Sequence, residues 1–165
     1  MPSPALDSID WRILAALQEN GRLTNVELAD RVGLSPSPCL RRVRQLEASG
    51  VIGAYRALLD PQALGLDLTV FVELKVGRHS RENADALGAA LSAMPEVVAC
   101  HMVSGTADFL VEVVVPDLAA YERFLSERLL VLPMVADIRS NFSLRRIKAS
   151  GPLPLPPDPR SAAAP

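Results

Sequence analysis

Leu34-Ser-Pro-Ser-Pro-Cys-Leu-Arg-Arg-Val-Arg-Gln-Leu-Glu-Ala-Ser-Gly50 is the stretch in which a helix start, a helix end and a row of cations coincide. Ser35 is a favourable N-cap, Pro36 suits the first helical position because its missing N–H costs nothing there, and Gly50 can adopt the left-handed conformation that ends a helix. The helical period places the apolar residues on one side, which is predicted to face a core: Cys39, Val43 and Leu46, with Leu40 at the margin.

The opposite side of this helix carries hydrogen-bond donors. A solvated surface helix could look similar, but such faces usually mix charges of both signs, and here three arginines stand against the single Glu47. We therefore interpret it as a DNA-reading helix whose donors spread across a major groove. The residues expected to contact DNA are Ser35, Ser37, Pro38, Arg41 and Gln45, with Arg42 and Arg44 on the two edges.

Two shorter helices are predicted upstream. Asp7 can cap the first, which Asn20-Gly21 ends. Thr24 and Glu27 form a capping box for the second, which is expected to bury Val26, Ala29 and Val32 before the short turn at Gly33. This arrangement is typical of a helix-turn-helix. Side chains at the start of the second helix commonly meet phosphate, so the predicted contacts there are Arg22, Thr24 and Asn25.

Composition bounds the remaining possibilities. The 165 residues are 49% hydrophobic and 22% charged, which is typical of a globular protein, and no apolar run is long enough for a membrane span. The formal net charge is −2, yet residues 22–56 hold six arginines against three acidic residues, so the cations are local. Cys39 and Cys100 lack the spacing of a zinc site or a disulfide framework, which favours a reducing, cytoplasmic location and no metal.

The remainder of the chain predicts a second domain. Residues 51–66 are expected to form a linker strand or wing that closes a DNA-binding domain over residues 1–60. In residues 67–149 the apolar periodicity alternates between two and about 3.6, in the order βαββαβ of a ferredoxin-like unit. Residues 150–165 are rich in Pro and Ala and are expected to be a disordered tail. The predicted fold class is α+β.

The third strand of this second domain, Phe109 to Val115, is apolar on both sides. Two helices cover only one face of a four-stranded sheet, so the other face would leave an apolar patch exposed on a monomer. We therefore expect a homo-oligomer. A symmetric dimer would also present two reading helices to two half-sites.

With both halves read, the sequence resembles the leucine-responsive regulatory protein/AsnC (Lrp/AsnC) family of transcription regulators over residues 6–148. The segments that carry the resemblance include Gly21-Arg-Leu-Thr-Asn-Val-Glu-Leu-Ala29, Val32-Gly-Leu-Ser-Pro-Ser-Pro-Cys39, Arg42-Val-Arg-Gln-Leu-Glu47, Ser104-Gly105 with Asp108, and Pro116-Asp-Leu118. The resemblance implies a winged helix-turn-helix joined to a βαββαβ domain of the RAM type, which binds an amino acid, dimerises and often builds octamers.

The resemblance also implies where the effector lies, near the turn between the second and third strands and near the start of the last strand. The implied residues are Ser104, Gly105, Thr106 and Asp108, with Met134 and Ala136, although Met134 stands where the family usually has Gly. Turn amides can hold a carboxylate and Asp108 can pair an ammonium. The alternative is a polar turn in which Asp108 bonds only local backbone. Leucine or another branched-chain amino acid is the effector that the resemblance implies.

Three functions follow as hypotheses. The first is a sequence-specific regulator of amino-acid metabolism genes, modulated by a small amino acid. The second is an architectural protein that wraps duplex DNA with little sequence preference. The third is an enzyme, which the sequence does not favour because it has no phosphate-binding glycine loop, metal-ligand spacing or nucleophile elbow, and so no candidate catalytic residue.

Overall fold

The computed structural model describes residues 6–77, 80–148 and 151–155. These residues fall into two compact units: the chain up to Leu58 together with the segment from Lys148 onward, and residues Leu59–Ile147. Among the described residues, no helix combines the length and apolarity needed to cross a bilayer.

The first unit contains three helices, α1 (Ser8–Glu19), α2 (Asn25–Val32) and α3 (Pro36–Ala48). Both predicted N-caps of α1 and α2 are present, since Asp7 accepts from the amides of Ile9 and Asp10, and the Thr24–Glu27 capping box is complete. Their apolar faces meet in one core, which satisfies the amphipathic pattern of all three helices. The buried residues of this core are Ile13, Leu14, Ala16, Leu28, Ala29, Val32, Cys39 and Leu46.

The turn between α2 and α3 is short because Gly33 adopts a left-handed conformation with φ of 72°. Its hydrogen bonds end α2 tightly: the Leu34 amide donates to the Ala29 carbonyl at 2.8 Å. At the far end of α3, Gly50 is also left-handed and its amide donates to the Glu47 carbonyl at 3.0 Å. The glycines predicted to end these two helices therefore do so.

Two expectations about residues up to 66 are wrong. Val26 does not join the core, because it lies on the outer side of α2 with 64% of its surface exposed. No strand forms over residues 51–66, where the structure shows only bends, irregular chain and a 3-10 turn at Gln62–Leu64. A strand needs hydrogen bonds to a neighbouring strand, and no segment of the described chain pairs with this one.

The second unit confirms the βαββαβ order. Its strands are β1 (Leu68–Val76), β2 (Val97–Met102), β3 (Phe109–Val115) and β4 (Val135–Phe142), and its helices are α4 (Arg81–Ser92) and α5 (Leu118–Phe124), which continues into a π-helical turn at Leu125–Leu129. The sheet is antiparallel throughout, in the order β2-β3-β1-β4. Its covered face packs Val70, Val72 and Leu74 against Leu87, Leu91, Tyr121 and Phe124.

The other face of the sheet is mixed instead of uniformly apolar, which corrects the expectation of a large apolar patch. By register it carries Phe71, Leu110 and Val114 together with polar residues. Ion pairs and a hydrogen bond separate the apolar side chains: Glu73 contacts Arg139 at 3.7 Å and Asn141 at 3.2 Å, and Glu112 contacts Arg146 at 3.5 Å.

The C-terminal segment is only partly as expected. Residues 151–155 have no regular secondary structure, yet they are held against α1: the Leu153 amide donates to Gln18 Oε1 at 2.6 Å, and Gln18 Nε2 donates back to the Leu153 carbonyl at 3.3 Å. Leu155 packs against the core of the first unit. Disorder is therefore wrong for 151–155, because an apolar side chain and a paired backbone anchor them. Residues 149–150 and 156–165 lie outside the described residues.

Candidate nucleic-acid interface and effector site

Four of the predicted DNA contacts lie together on the exposed side of α3. Ser37, Arg41, Arg44 and Gln45 line a shallow concavity of about 350 Å³ that is open to solvent. The opposite side of the helix is anchored by Cys39 and Leu46, which are buried. Because the core fixes which side of α3 faces inward, these donors are presented outward as a set.

The two arginines of this surface carry uncompensated charge. Within the part of the chain that the structure describes, neither Arg41 nor Arg44 lies within ion-pair distance of a carboxylate. Glu47, the only acidic residue of α3, accepts a hydrogen bond from the Tyr55 hydroxyl at 3.1 Å. Burial, together with this contact to Glu47, raises the pKa of Tyr55. The guanidinium forks are therefore free to contact guanine edges or phosphates, which they suit by geometry.

Arg42, also predicted to contact DNA, does not line this concavity, and its guanidinium is engaged within the protein. Its Nη1 lies 2.8 Å from Asp7 Oδ2 and 2.8 Å from Asp10 Oδ1, and its side chain is only 24% exposed. Hydrogen bonding to Asp10, with a further contribution from Asp7, raises the pKa of Arg42. Arg42 therefore ties α3 to the N-terminal capping box of α1 and orients the reading helix.

Asn25 and Thr24 are also engaged within the protein. The Asn25 side-chain amide donates to the Pro36 carbonyl at 2.9 Å, which joins the first turns of α2 and α3. The Thr24 hydroxyl donates to Glu27 Oε2 at 2.8 Å and accepts from the Glu27 amide. The Asn25 amide nitrogen and the Thr24 hydroxyl thus help to set the angle of the helix-turn-helix.

The remaining predicted contacts do not line the concavity. Ser35 is the N-cap of α3 by backbone conformation, but its hydroxyl makes no capping hydrogen bond. Pro38 is half-buried in the first turn of α3, and Arg22 is exposed between α1 and α2.

Sequence reasoning missed two members of the surface, Leu40 and Ala48, which line the concavity with the four donors. Leu40 was assigned to the margin of the core. A signal was present in the spacing, because Leu40, Arg44 and Ala48 recur every four residues and so share one side of the helix.

The proposed effector residues meet at one end of the sheet. Asp108 Oδ2 accepts from the Val76 amide at 2.8 Å, and the Gly77 amide donates to the Met134 carbonyl at 2.9 Å. The end of β1 therefore contacts both the turn before β3 and the start of β4. A side chain at Gly77 would begin 3.4 Å from the Ala136 Cβ, so these strands approach closely.

The individual side chains at this end differ in availability. Ser104, Gly105 and Thr106 are exposed, and Gly105 has a φ of 127°, a conformation that only glycine adopts readily. Met134 is half-buried and packs against the core of the second unit. The Asp108 carboxylate braces β1 by accepting from the Val76 amide, 32 residues away, so its contacts are not confined to local backbone as the alternative interpretation expected.

Comparison with known proteins decides the family. The Lrp/AsnC ligand-binding domain model matches residues 69–153, and a winged helix-turn-helix DNA-binding model matches residues 6–52. The chain is 46% identical over 152 residues to the leucine-responsive regulatory protein of Salmonella typhimurium, covering 92% of this chain and 93% of that protein. The chain belongs to the Lrp/AsnC family. As an Lrp/AsnC protein it is a transcriptional regulator and not an enzyme, which confirms the first hypothesis over the third.

Solved structures of other Lrp/AsnC regulators share this fold. A transcriptional regulator from Neisseria meningitidis, solved as a complex with L-methionine, matches with a TM-score of 0.86 and 42% identity over 91% of this chain and 97% of that one. An AsnC family regulator from Agrobacterium tumefaciens matches with a TM-score of 0.85 and 40% identity over 90% and 97% of the two chains.

Proposed function

We propose that this Lrp/AsnC regulator binds duplex DNA sequence-specifically through the outer side of α3. The observation that carries the proposal is the grouping of Arg41, Arg44 and Gln45 on one exposed surface whose arginines have no ion-pair partner among the described residues. Arginine pairs with guanine and glutamine with adenine in the major groove. Ser37, the free hydroxyl of Ser35 and the exposed Arg22 are proposed to contact phosphate, with Pro38 packed beside them.

The test is selection of a bound sequence from random duplexes, followed by affinity measurements at several salt concentrations. Arg41→Ala is expected to cost about 1–3 kcal/mol and to relax preference at one base pair, whereas Arg44→Ala should weaken all sequences and lower the salt slope by about one. Arg123→Ala, which removes an exposed arginine of α5, is the matched control for loss of charge. Equal losses on selected and random duplex from both α3 variants would favour the architectural function.

We also propose that a small amino acid, leucine or another branched-chain amino acid, modulates DNA binding from the end of the sheet around Ser104–Asp108. The names of the relatives and the L-methionine complex of the Neisseria regulator support an aliphatic ligand. The turn around Gly105 is exposed, and backbone amides of such a turn suit a carboxylate. Because the Asp108 carboxylate already accepts from Val76, its proposed role toward the ammonium is shared with bracing the turn.

A thermal-shift screen of the twenty amino acids tests this effector. A ligand that binds only the native state at 100 times its Kd stabilises by about 2.7 kcal/mol. Aliphatic amino acids are expected to raise the melting temperature, and Thr106→Ala should reduce that rise without changing the melting temperature of the free protein. No shift with any of the twenty would contradict the proposal.

The working form is proposed to be a cytoplasmic homodimer that can build octamers. Phe71, with 38% of its surface exposed on the open sheet face, and the exposed Leu58, Leu59, Leu130 and Val131 supply apolar area for association. Sedimentation at micromolar concentration gives the molar mass directly. A monomer would contradict the proposed dimer.

A further inference from the structure

We propose that Leu40 reads the C5-methyl group of a thymine in each half-site, an inference that rests on the proposed DNA-binding function. Leu40 stands apart from the other apolar residues of α3, since Cys39 and Leu46 are buried whereas Leu40 is 37% exposed. It is therefore an apolar side chain presented on the same side as the donors.

The surroundings of Leu40 select its partner. It shares the concavity with Arg41, Arg44 and Gln45, and the other apolar residue there is the small Ala48. A surface with two uncompensated arginines favours a polyanion. In the major groove of such a polyanion the thymine methyl is the apolar group that a leucine can contact, while every other base edge offers hydrogen-bond donors or acceptors.

The helix geometry limits where that thymine lies. Leu40 and Arg41 are adjacent, and Leu40 and Arg44 are separated by about 6 Å along the helix axis at a rise of about 1.5 Å per residue. Base pairs are spaced by about 3.4 Å along each strand. The thymine is therefore expected within about two base pairs of the pair that Arg41 contacts.

Deoxyuridine scanning tests this inference. The full-length protein is used with its selected duplex, and each thymine is replaced in turn by deoxyuridine, which keeps every hydrogen-bonding group and removes only the methyl. Wild type is expected to lose about fourfold in affinity at one thymine per half-site, the value that burial of one such carbon gives. Leu40→Ala should bind the thymine duplex more weakly by a similar factor and show no further loss with deoxyuridine.

Two further variants keep the test interpretable. Leu40→Met keeps an apolar side chain of similar length, so its affinity should remain sensitive to loss of the thymine methyl. Leu118→Ala truncates an exposed leucine of α5 and should show the same loss with deoxyuridine as wild type. Because Leu40 is not among the described residues that pack against the core of the first unit, thermal melting of Leu40→Ala should stay close to that of wild type. The inference is overturned if no thymine responds, or if Leu40→Ala keeps the same deoxyuridine loss. If no duplex is enriched at all, the proposed DNA-binding function fails first.

Discussion

Replacing Arg42 by Ala separates orientation of the reading helix from contact with DNA. The substitution removes two charge-assisted hydrogen bonds of 2.8 Å, to Asp7 and to Asp10. The Asp7 carboxylate is half exposed, so its share is worth at most about 1 kcal/mol. The Asp10 carboxylate is only 14% exposed, and leaving it without the guanidinium costs about 1–3 kcal/mol.

The two contributions do not add in full, because Asp10 still accepts a hydrogen bond from the Asp7 amide. Arg42→Ala is therefore expected to lower the free energy of unfolding by about 1–3 kcal/mol. For a domain of 60–100 residues each kcal/mol lowers the melting temperature by about 4–8 °C. Trp11, the single tryptophan of the chain, lies in α1 beside Asp10 and reports unfolding of this unit by fluorescence in urea.

DNA affinity measured against salt completes the assay. A phosphate contact would contribute about 0.9 to the salt slope. Arg42→Ala is expected to leave the slope unchanged at temperatures where the protein is folded, and Arg44→Ala is expected to lower the slope without loss of stability. The reasoning is refuted if Arg42→Ala is as stable as wild type and lowers the slope by about one, because Arg42 would then contact DNA directly.

Three other perturbations test the fold around the reading helix. Gly33→Ala should lower the free energy of unfolding, measured by urea melts, by about 1–2 kcal/mol, because φ of 72° strains any side chain there. Gly53→Ala, which is equally open but has no positive φ, should be nearly neutral. Removing residues 152–165 should speed amide exchange in α1, because the Gln18 and Leu155 contacts are lost. Hydrogen bonding to the Asp10 amide, aided by Arg42, lowers the pKa of Asp7 against burial, so Asp7 contributes stability above its unfolded pKa of about 3.9 that is lost as pH falls through the lower folded value. Urea melts of wild type and Asp7→Asn should therefore differ at pH 6 and converge toward pH 2; a constant difference would contradict this linkage.

Local signals predicted most of the elements. The caps at Asp7 and Thr24, the turn glycines Gly33 and Gly50, and the alternation of β1 each involve residues within about five positions of one another. Such patterns are written into the order of residues, since capping and face alternation depend on fixed helical and strand periods. The same periods placed Arg41 and Gln45 on the outer side of α3, with Arg44 at its edge.

The roles of individual side chains depended on partners far along the chain. From its helical position Arg42 is predicted to contact the DNA groove, but its carboxylate partner Asp10 lies 32 residues away in sequence. Asp108 and the Val76 amide that donates to it are also 32 residues apart. Leu153 contacts Gln18, which lies 135 residues away along the chain. Composition alone predicted that the segment containing Leu153 is disordered.

Sequence order by itself determined where the helices and strands begin, which sides of them are apolar and, through the family resemblance, the class of regulator. Only the tertiary structure decided which arginine faces outward, that Leu40 is exposed, and that residues 51–66 lack a strand partner within the described chain. The physical reason is that periodicity fixes the angle of a side chain about its own element. The group it meets there depends on which distant segment packs against that side.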